Sequence, residues 1–162
     1  MSFKKYKQYP TIQNFARKWP NKQITQAPIY CSVDLRDGNQ ALINPLSVEQ
    51  KLEYFHTLVK MGFKQIEVSY PSASDTDFAF TRKLIEENLV PDDVAIQVLI
   101  PAKKEWIKKS VEAMSGVKNG IFHLYNPTNE FQRRVVFQKS DDEIISMAVE
   151  AMQYLVELTK DF

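Results

Sequence analysis

From residue 29 onward the chain alternates between two hydrophobic patterns. Short runs rich in β-branched and aromatic residues are followed by longer segments in which apolar positions recur every three or four residues. Residues 29–35 (IYCSVDL) predict a first strand. After a loop through Gly38 and Pro45, Ser47 and Gln50 have the spacing of a capping box. Val48, Leu52, Phe55 and Val59 then form a helical stripe that Gly62 ends. Residues 63–69 (FKQIEVS) predict a second strand, closed by Tyr70-Pro71, and a helix follows Asp75 with Phe78, Thr81 and Ile85 along one side. Residues 94–99 (VAIQVL) predict a third strand, punctuated by Pro101. Its helix carries Ile107, Val111 and Met114 and ends at Gly116. Residues 121–125 (IFHLY) predict a fourth strand, ended by Asn126-Pro127. Ser140 and Glu143 open the last helix, with Ile144, Ala148, Ala151, Leu155 and Leu158 on one side.

Strict strand–helix alternation predicts right-handed βαβ units and a parallel sheet. Two architectures satisfy it: a doubly wound open sheet and part of a (β/α)8 barrel. The loop after the first strand reads Arg36-Asp37-Gly38-Asn39-Gln40. It has a single glycine, and an acid where a pyrophosphate would be repelled, which argues against the dinucleotide-binding open sheet.

Strands covered on both faces should be almost continuously apolar. Here polar residues interrupt them: Gln65 and Glu67 in the second, Gln97 in the third and His123 in the fourth, while the first runs directly into Arg36 and Asp37. Burying such groups without partners costs several kcal/mol each, about 2–7 for a neutral one. They therefore need one another, water or a ligand. In a barrel the C-terminal strand ends surround one mouth, where active sites are built. The expectation is that Arg36, Asp37, Glu67 and His123 converge there. A purely structural ion-pair network is the alternative for Glu67, and a hydrogen-bonded core histidine is the alternative for His123. His56, on the first helix, reads as a surface or packing residue.

An exposed carboxylate such as Asp37 suits a hard or borderline divalent cation, and an adjacent guanidinium suits an oxyanion. Such a pair would polarise the carbonyl of a 2-oxo acid, with the metal on its oxygens and Arg36 stabilising the developing charge. His123 would orient substrate or metal-bound water.

Composition narrows the field further. The net charge of +1, with 44% hydrophobic and 25% charged residues, is that of an ordinary globular chain and gives no reason to propose nucleic acid as partner. One cysteine, Cys31, excludes an internal disulfide framework and a Cys-rich zinc site. No apolar run approaches the ~18 residues of a membrane span. Residues 1–33 carry Lys4, Lys5, Lys7, Arg17, Lys18 and Lys22 and no acid. Pro10, Pro20 and Pro28 interrupt that stretch, so it reads as a basic arm rather than a targeting helix. A cytoplasmic enzyme is the expectation.

The segment SVDLRDGNQALINP, residues 32–45, closely resembles the first-strand signature of 2-isopropylmalate synthases, especially the longer fungal and actinobacterial class. MGFKQIEVSYPSASDTDF from Met61, VPDDVAIQVL from Val90, and HLYNPTNEFQRRVVF from His123 agree in order and spacing. The upstream WPNKQITQAP, residues 19–28, is similar to the arm preceding the barrel in that class. A bare Arg-Asp-Gly is shared by many related condensing and cleaving enzymes; the ordered set is specific.

The resemblance implies an α/β chain of the TIM-barrel type. Residues 1–28 would be the N-terminal arm, and residues 29–162 the first four βα units, half of a catalytic (β/α)8 barrel. It implies a Claisen-type condensation of acetyl-CoA with 2-oxoisovalerate in leucine biosynthesis, with a divalent metal (Mg, Zn or Mn) and acetyl-CoA as co-substrate. Arg36 would be catalytic and Asp37 a metal ligand, with Gln40, Glu67 and His123 at the substrate. The partners implied are small molecules and a second copy of the chain, with no nucleic acid and no membrane. Homocitrate or citramalate synthase chemistry is the alternative, as is an inactive relative serving as an interaction module.

Some positions depart from the family pattern. Ser69-Tyr70-Pro71 stands where Gly-Phe-Pro is usual, Ile100 and Lys103 replace a threonine and an arginine, and Pro127 and Asn129 stand where serines are usual. The family's His-x-His metal pair belongs to the other half barrel, and the only histidines here are His56 and His123. Metal-dependent catalysis by the 162-residue chain alone is therefore not expected. Unpaired strand edges and an open inner sheet face, with Val33, Val68 and Val98 upon it, are expected to drive association.

Overall fold

A computed structural model describes residues 26–160 and 162. The expected N-terminal arm falls outside the described residues up to residue 25. The elements run β1 (Cys31–Ser32), α1 (Val48–Met61), β2 (Gln65–Ser69), α2 (Asp75–Glu86), β3 (Ala95–Pro101), α3 (Lys104–Ala113), β4 (Gly120–Tyr125) and α4 (Asp141–Leu158). All strand pairs are parallel, in the order β1-β2-β3-β4. Consecutive helices pack against one another, α1 on α2, α2 on α3 and α3 on α4. A doubly wound sheet would reverse its strand order part-way. The sequential order settles the choice in favour of a partial (β/α) barrel.

The helix boundaries follow their chemistry. Ser47 and Ser140 each accept the backbone N–H three residues on, and Gln50 and Glu143 reach back to complete both capping boxes. Gly62 ends α1 at φ +95°, a conformation that excludes most side chains. The N–H groups of Gly62 and Phe63 then satisfy the last turn of the helix.

One sheet face packs on the helices. Ile66, Val68, Ile96, Val98 and Ile100 are fully buried with Phe55, Leu58, Phe80, Leu84 and Ile107. At about 1.5–3 kcal/mol per large apolar side chain, this layer supplies the main driving force for folding. Val68 and Val98 thus belong to the helix-packed core. The expectation that they lie on an open inner face is wrong by one residue of register, because strand side chains alternate. Val33 does remain exposed.

Three local expectations also need correction. The first strand is two residues long, not seven. Ser32 Oγ donates to Asp34 Oδ2 at 2.6 Å, and the chain turns at once into a π-helical turn, Asp34–Gly38. Side-chain bonds of this kind compete with the ladder, and among the described residues β1 has a neighbour on one side only. In α2 the fully buried positions are Asp77, Phe80, Thr81 and Leu84, so the stripe is rotated from Phe78 and Ile85, which are half-buried. Between Pro127 and Ser140, where no element is expected, Gln132–Phe137 forms a second π-helical turn, closed by Gln138 at φ +53°.

No helix among the described residues is long and apolar enough to cross a membrane.

Candidate active site

The polar strand residues share the sheet face opposite the helices. Glu67 and Gln97 are register partners on β2 and β3, and His123 on β4 is level with Leu99, two residues beyond Gln97. Arg36 reaches the same place from the turn after β1. There the N–H groups of Arg36, Asp37 and Gly38 all point to the Val33 carbonyl, at 3.2, 2.8 and 3.3 Å.

Glu67 is the hub. Its side chain is wholly buried, yet every lone-pair direction is used. Arg36 donates to Oε1 from Nε at 2.5 Å and from Nη2 at 2.5 Å. On Oε2 it receives the Gln97 amide and His123 Nδ1, the latter at 2.6 Å. Burial alone would push this carboxyl up. The hydrogen bonds from His123, Gln97 and Arg36, with the guanidinium charge, outweigh burial and hold it below the ordinary glutamate range. With the carboxylate as acceptor, His123 donates from Nδ1, and Nε2 is left outside the network. The Gln97 amide nitrogen, 3.4 Å from Nδ1, is then a second donor to the same oxygen rather than a partner of the ring.

Arg36 also donates from Nη1 to Asp37 Oδ1 at 2.6 Å. The Arg36 side chain is 13% exposed and that of Asp37 is 61% exposed. Asp37 therefore presents its second oxygen outward. His123 is also exposed, at 44% of its side chain. Arg36, Asp37, Glu67 and His123 thus form one continuous chain of contacts, but Glu67 and His123 lie within β2 and β4 rather than at the C-terminal strand ends that the sequence led us to expect. Gln40 does not join it: it is exposed, with no hydrogen bond to these residues among those described.

Cys31 lies at the base of this network. Burial first, and then the Glu67 charge, push its thiol up, which makes it a poor nucleophile at neutral pH.

The metal expectation can be checked against the donors. Among the described residues no three His, Cys, Asp or Glu side chains are grouped to hold an ion. Asp37 offers one outward oxygen, Glu67 has none free, and His123 has Nδ1 spent and only Nε2 open. The described residues therefore do not by themselves build a metal centre, since durable sites commonly use three protein ligands or more. Titration calorimetry of the 162-residue chain with Zn2+ or Mn2+ is expected to show far weaker binding than a full-length relative. Tight binding lost in Asp37→Ala would show that ligands have been overlooked.

Beside the network lies a cleft of about 250 Å³ between the ends of β3 and β4 and the second π-helical turn, lined by Tyr70, Trp106, Tyr125, Phe137 and Lys103. Tyr70 and Trp106 stack with centroids 5.7 Å apart. Burial and the hydrogen bond to Tyr125 push the Tyr70 phenol well above its ordinary value. Three of the departures noted in the sequence, Tyr70, Lys103 and Pro127, line this cleft.

Sequence reasoning missed three residues that shape the site. Asn39 is buried, and its Oδ1 accepts the Leu46 N–H at 2.8 Å, closing the loop after Arg36. Lys51 and Asp77 form a buried ion pair beneath the Arg36 turn. An asparagine just past a tight turn was a usable signal for the first. Lys51 gave none, because a lysine inside an amphipathic helix normally marks the solvated face.

The HMGL-like family model matches residues 27–162. The chain belongs to that family. Over 153 residues it is 54% identical to a protein of Clostridium acetobutylicum named 2-isopropylmalate synthase, covering 94% of this chain and 27% of that one. Proteins of the same name from Acetoanaerobium sticklandii and Saccharomyces cerevisiae are 53% and 52% identical, over 98% and 97% of this chain and 28% and 25% of theirs. The chain spans about a quarter of the length of the curated relatives it matches. The matched region of the family contains every member of the Glu67 network.

Proposed function

We propose that residues 29–162 carry the first half of the active site of a 2-isopropylmalate synthase, condensing acetyl-CoA with 2-oxoisovalerate. The observation that carries this reading is Arg36, just past β1, anchored by the buried Glu67 carboxylate of β2, in a chain about half identical to relatives of that name. Arg36 has five N–H groups. Two are committed to Glu67 and one to Asp37, which leaves two for an oxyanion.

In the condensation, the enolate carbon of acetyl-CoA forms a bond to the 2-oxo carbon, and the carbonyl electrons move onto oxygen. Arg36 stabilises that alkoxide from a fixed position, so little reorganisation is needed as charge develops. His123, oriented by Glu67, presents Nε2 to accept a proton or a substrate hydrogen bond. Glu67 acts through Arg36 and His123, not on substrate. Hydrolysis of the thioester then releases CoA.

The cluster of Arg36 with two carboxylates retains a net negative charge, which favours a divalent cation at the free Asp37 oxygen. Asp37 would supply one of its ligands. A bound cation would polarise the 2-oxo carbonyl. The described residues supply no further group of ligands to complete that site.

The test is a chimera in which residues 29–162 replace the matching segment of the Clostridium acetobutylicum relative. It is expected to release CoA from acetyl-CoA only when 2-oxoisovalerate is present, and Arg36→Lys is expected to lower kcat at least about 100-fold, as loss of an oxyanion donor does. A folded chimera without CoA release sinks the reading. A preference for 2-oxoglutarate or pyruvate replaces it with homocitrate or citramalate synthesis.

A further inference from the structure

Lys51 and Asp77 are the most unusual buried groups outside the Glu67 network. The Lys51 side chain is completely buried, and its Nζ donates to an Asp77 carboxylate oxygen and to the Leu35 carbonyl, the latter at 3.2 Å. The third direction of the ammonium faces the Phe80 ring, 5.5 Å from its centroid. The other Asp77 oxygen, Oδ2, accepts the Tyr70 N–H at 2.8 Å. Both Asp77 oxygens and the Lys51 ammonium therefore have partners.

The two backbone groups it holds give the pair a purpose. Leu35 is the residue before Arg36, inside the π-helical turn, and Tyr70 is the residue after β2, at the edge of the aromatic cleft. Lys51 is four residues past the Ser47 cap, near the positive end of α1, where the helix dipole disfavours a cation. Asp77 is at the start of α2, where the same effect favours an anion. A buried ion pair is commonly no more stabilising than two apolar residues of like volume. Packing alone therefore does not explain it.

We infer that the Lys51–Asp77 pair is a positioning device that fixes the Arg36 turn against the end of β2, so that Arg36 meets Glu67 in one geometry. Arg36 sits on a five-residue turn whose own N–H groups crowd one carbonyl, Val33. Glu67, Gln97 and His123 are carried by strands and need no such clamp. Loss of the pair should free Arg36 while leaving the Glu67–His123 contact in place. The inference rests on Arg36 being a working group of the proposed site, but its test involves no turnover, so the two readings fail separately.

The test uses the 162-residue chain with 15N-labelled arginine and histidine. Five arginines give few side-chain Nε–H signals, and Arg36→Lys identifies the one that matters. In the parent chain, Arg36 Nε–H is expected downfield and protected from exchange, as its contact with Glu67 requires. Two variants are compared by circular dichroism and NMR. Lys51→Met with Asp77→Leu removes both charges together and so avoids an orphaned ion. Asp77→Asn keeps the volume and removes one charge. The expected result is loss of the downfield position and protection of Arg36 Nε–H, with the His123 ring nitrogens unchanged. An unchanged Arg36 signal in either folded variant overturns the inference. So does simultaneous loss of the Arg36 and His123 signals, or unfolding of both variants, which is what a merely structural pair would give.

Discussion

Glu67→Ala is expected to cost about 3–5 kcal/mol of folding stability, the range for removing one partner of a buried ion pair. Few single substitutions in this chain should match it. The carboxylate accepts from Arg36, Gln97 and His123 at once, with no exposed surface of its own. Removing it leaves the Arg36 guanidinium nine-tenths covered with only Asp37 to face, and leaves the Gln97 amide and His123 Nδ1 without their acceptor. Urea unfolding followed by circular dichroism reads the loss as a shift of midpoint. Glu67→Gln should be milder, since the amide oxygen still accepts, but its NH2 group opposes donors on one side.

The pH dependence gives a second readout of the same group. Its carboxyl is held below the ordinary range in the folded chain and returns to about 4.3 on unfolding. A depressed folded value means that the unfolded state binds the proton more readily. The stabilisation is complete above the unfolded value and is lost as pH falls below it and through the folded value. At neutral pH the contribution is flat. Glu67→Gln should remove that part of the acid sensitivity, and an identical acid slope in parent and variant would show that Glu67 does not carry it.

Different kinds of signal made different parts of the molecule legible. Capping boxes at Ser47 and Ser140 are short-range chemistry, so the helix starts could be placed to the residue. The site was legible for another reason. A polar residue in a parallel strand is anomalous wherever it occurs, and the period of two puts Glu67, Gln97 and His123 on one face of adjoining strands. The first strand was misjudged because Ser32 and Asp34 bond to each other across a turn, a choice that apolar patterning does not record. Lys51 was invisible because its burial depends on Asp77, 26 residues away, and on a carbonyl presented by the Arg36 turn. Gln40 belongs to the same short signature as Arg36 and Asp37 but is exposed and stands outside their chain of contacts.

The purified 162-residue chain is expected to release no CoA above background and to have a solution mass above its monomer value of 18.8 kDa. The chemistry fails first. Arg36 and His123 meet on Glu67, but Asp37 is the sole outward carboxylate of the network, and no group of three metal-binding side chains exists among the described residues. Without Lewis-acid help the carbonyl is a weaker electrophile. Association has a separate cause. Among the described residues the sheet ends at β1 on one side and β4 on the other, and unpaired strand edges invite another chain. α4 also presents Ile145, Val149, Met152 and Val156 at 4-3-4 spacing, each between 48% and 60% exposed. That is one continuous apolar stripe on a helix whose opposite side is already packed, and such stripes normally find a partner. Two copies meeting along β4 and α4 would cover edge and stripe together. They would still bring no new metal ligand to Asp37. Light scattering and a thiol-release assay with acetyl-CoA, 2-oxoisovalerate and a divalent metal measure both properties on one sample. A monodisperse monomer refutes the argument from the exposed edges, and CoA release that depends on the 2-oxo acid refutes the argument from the donor set.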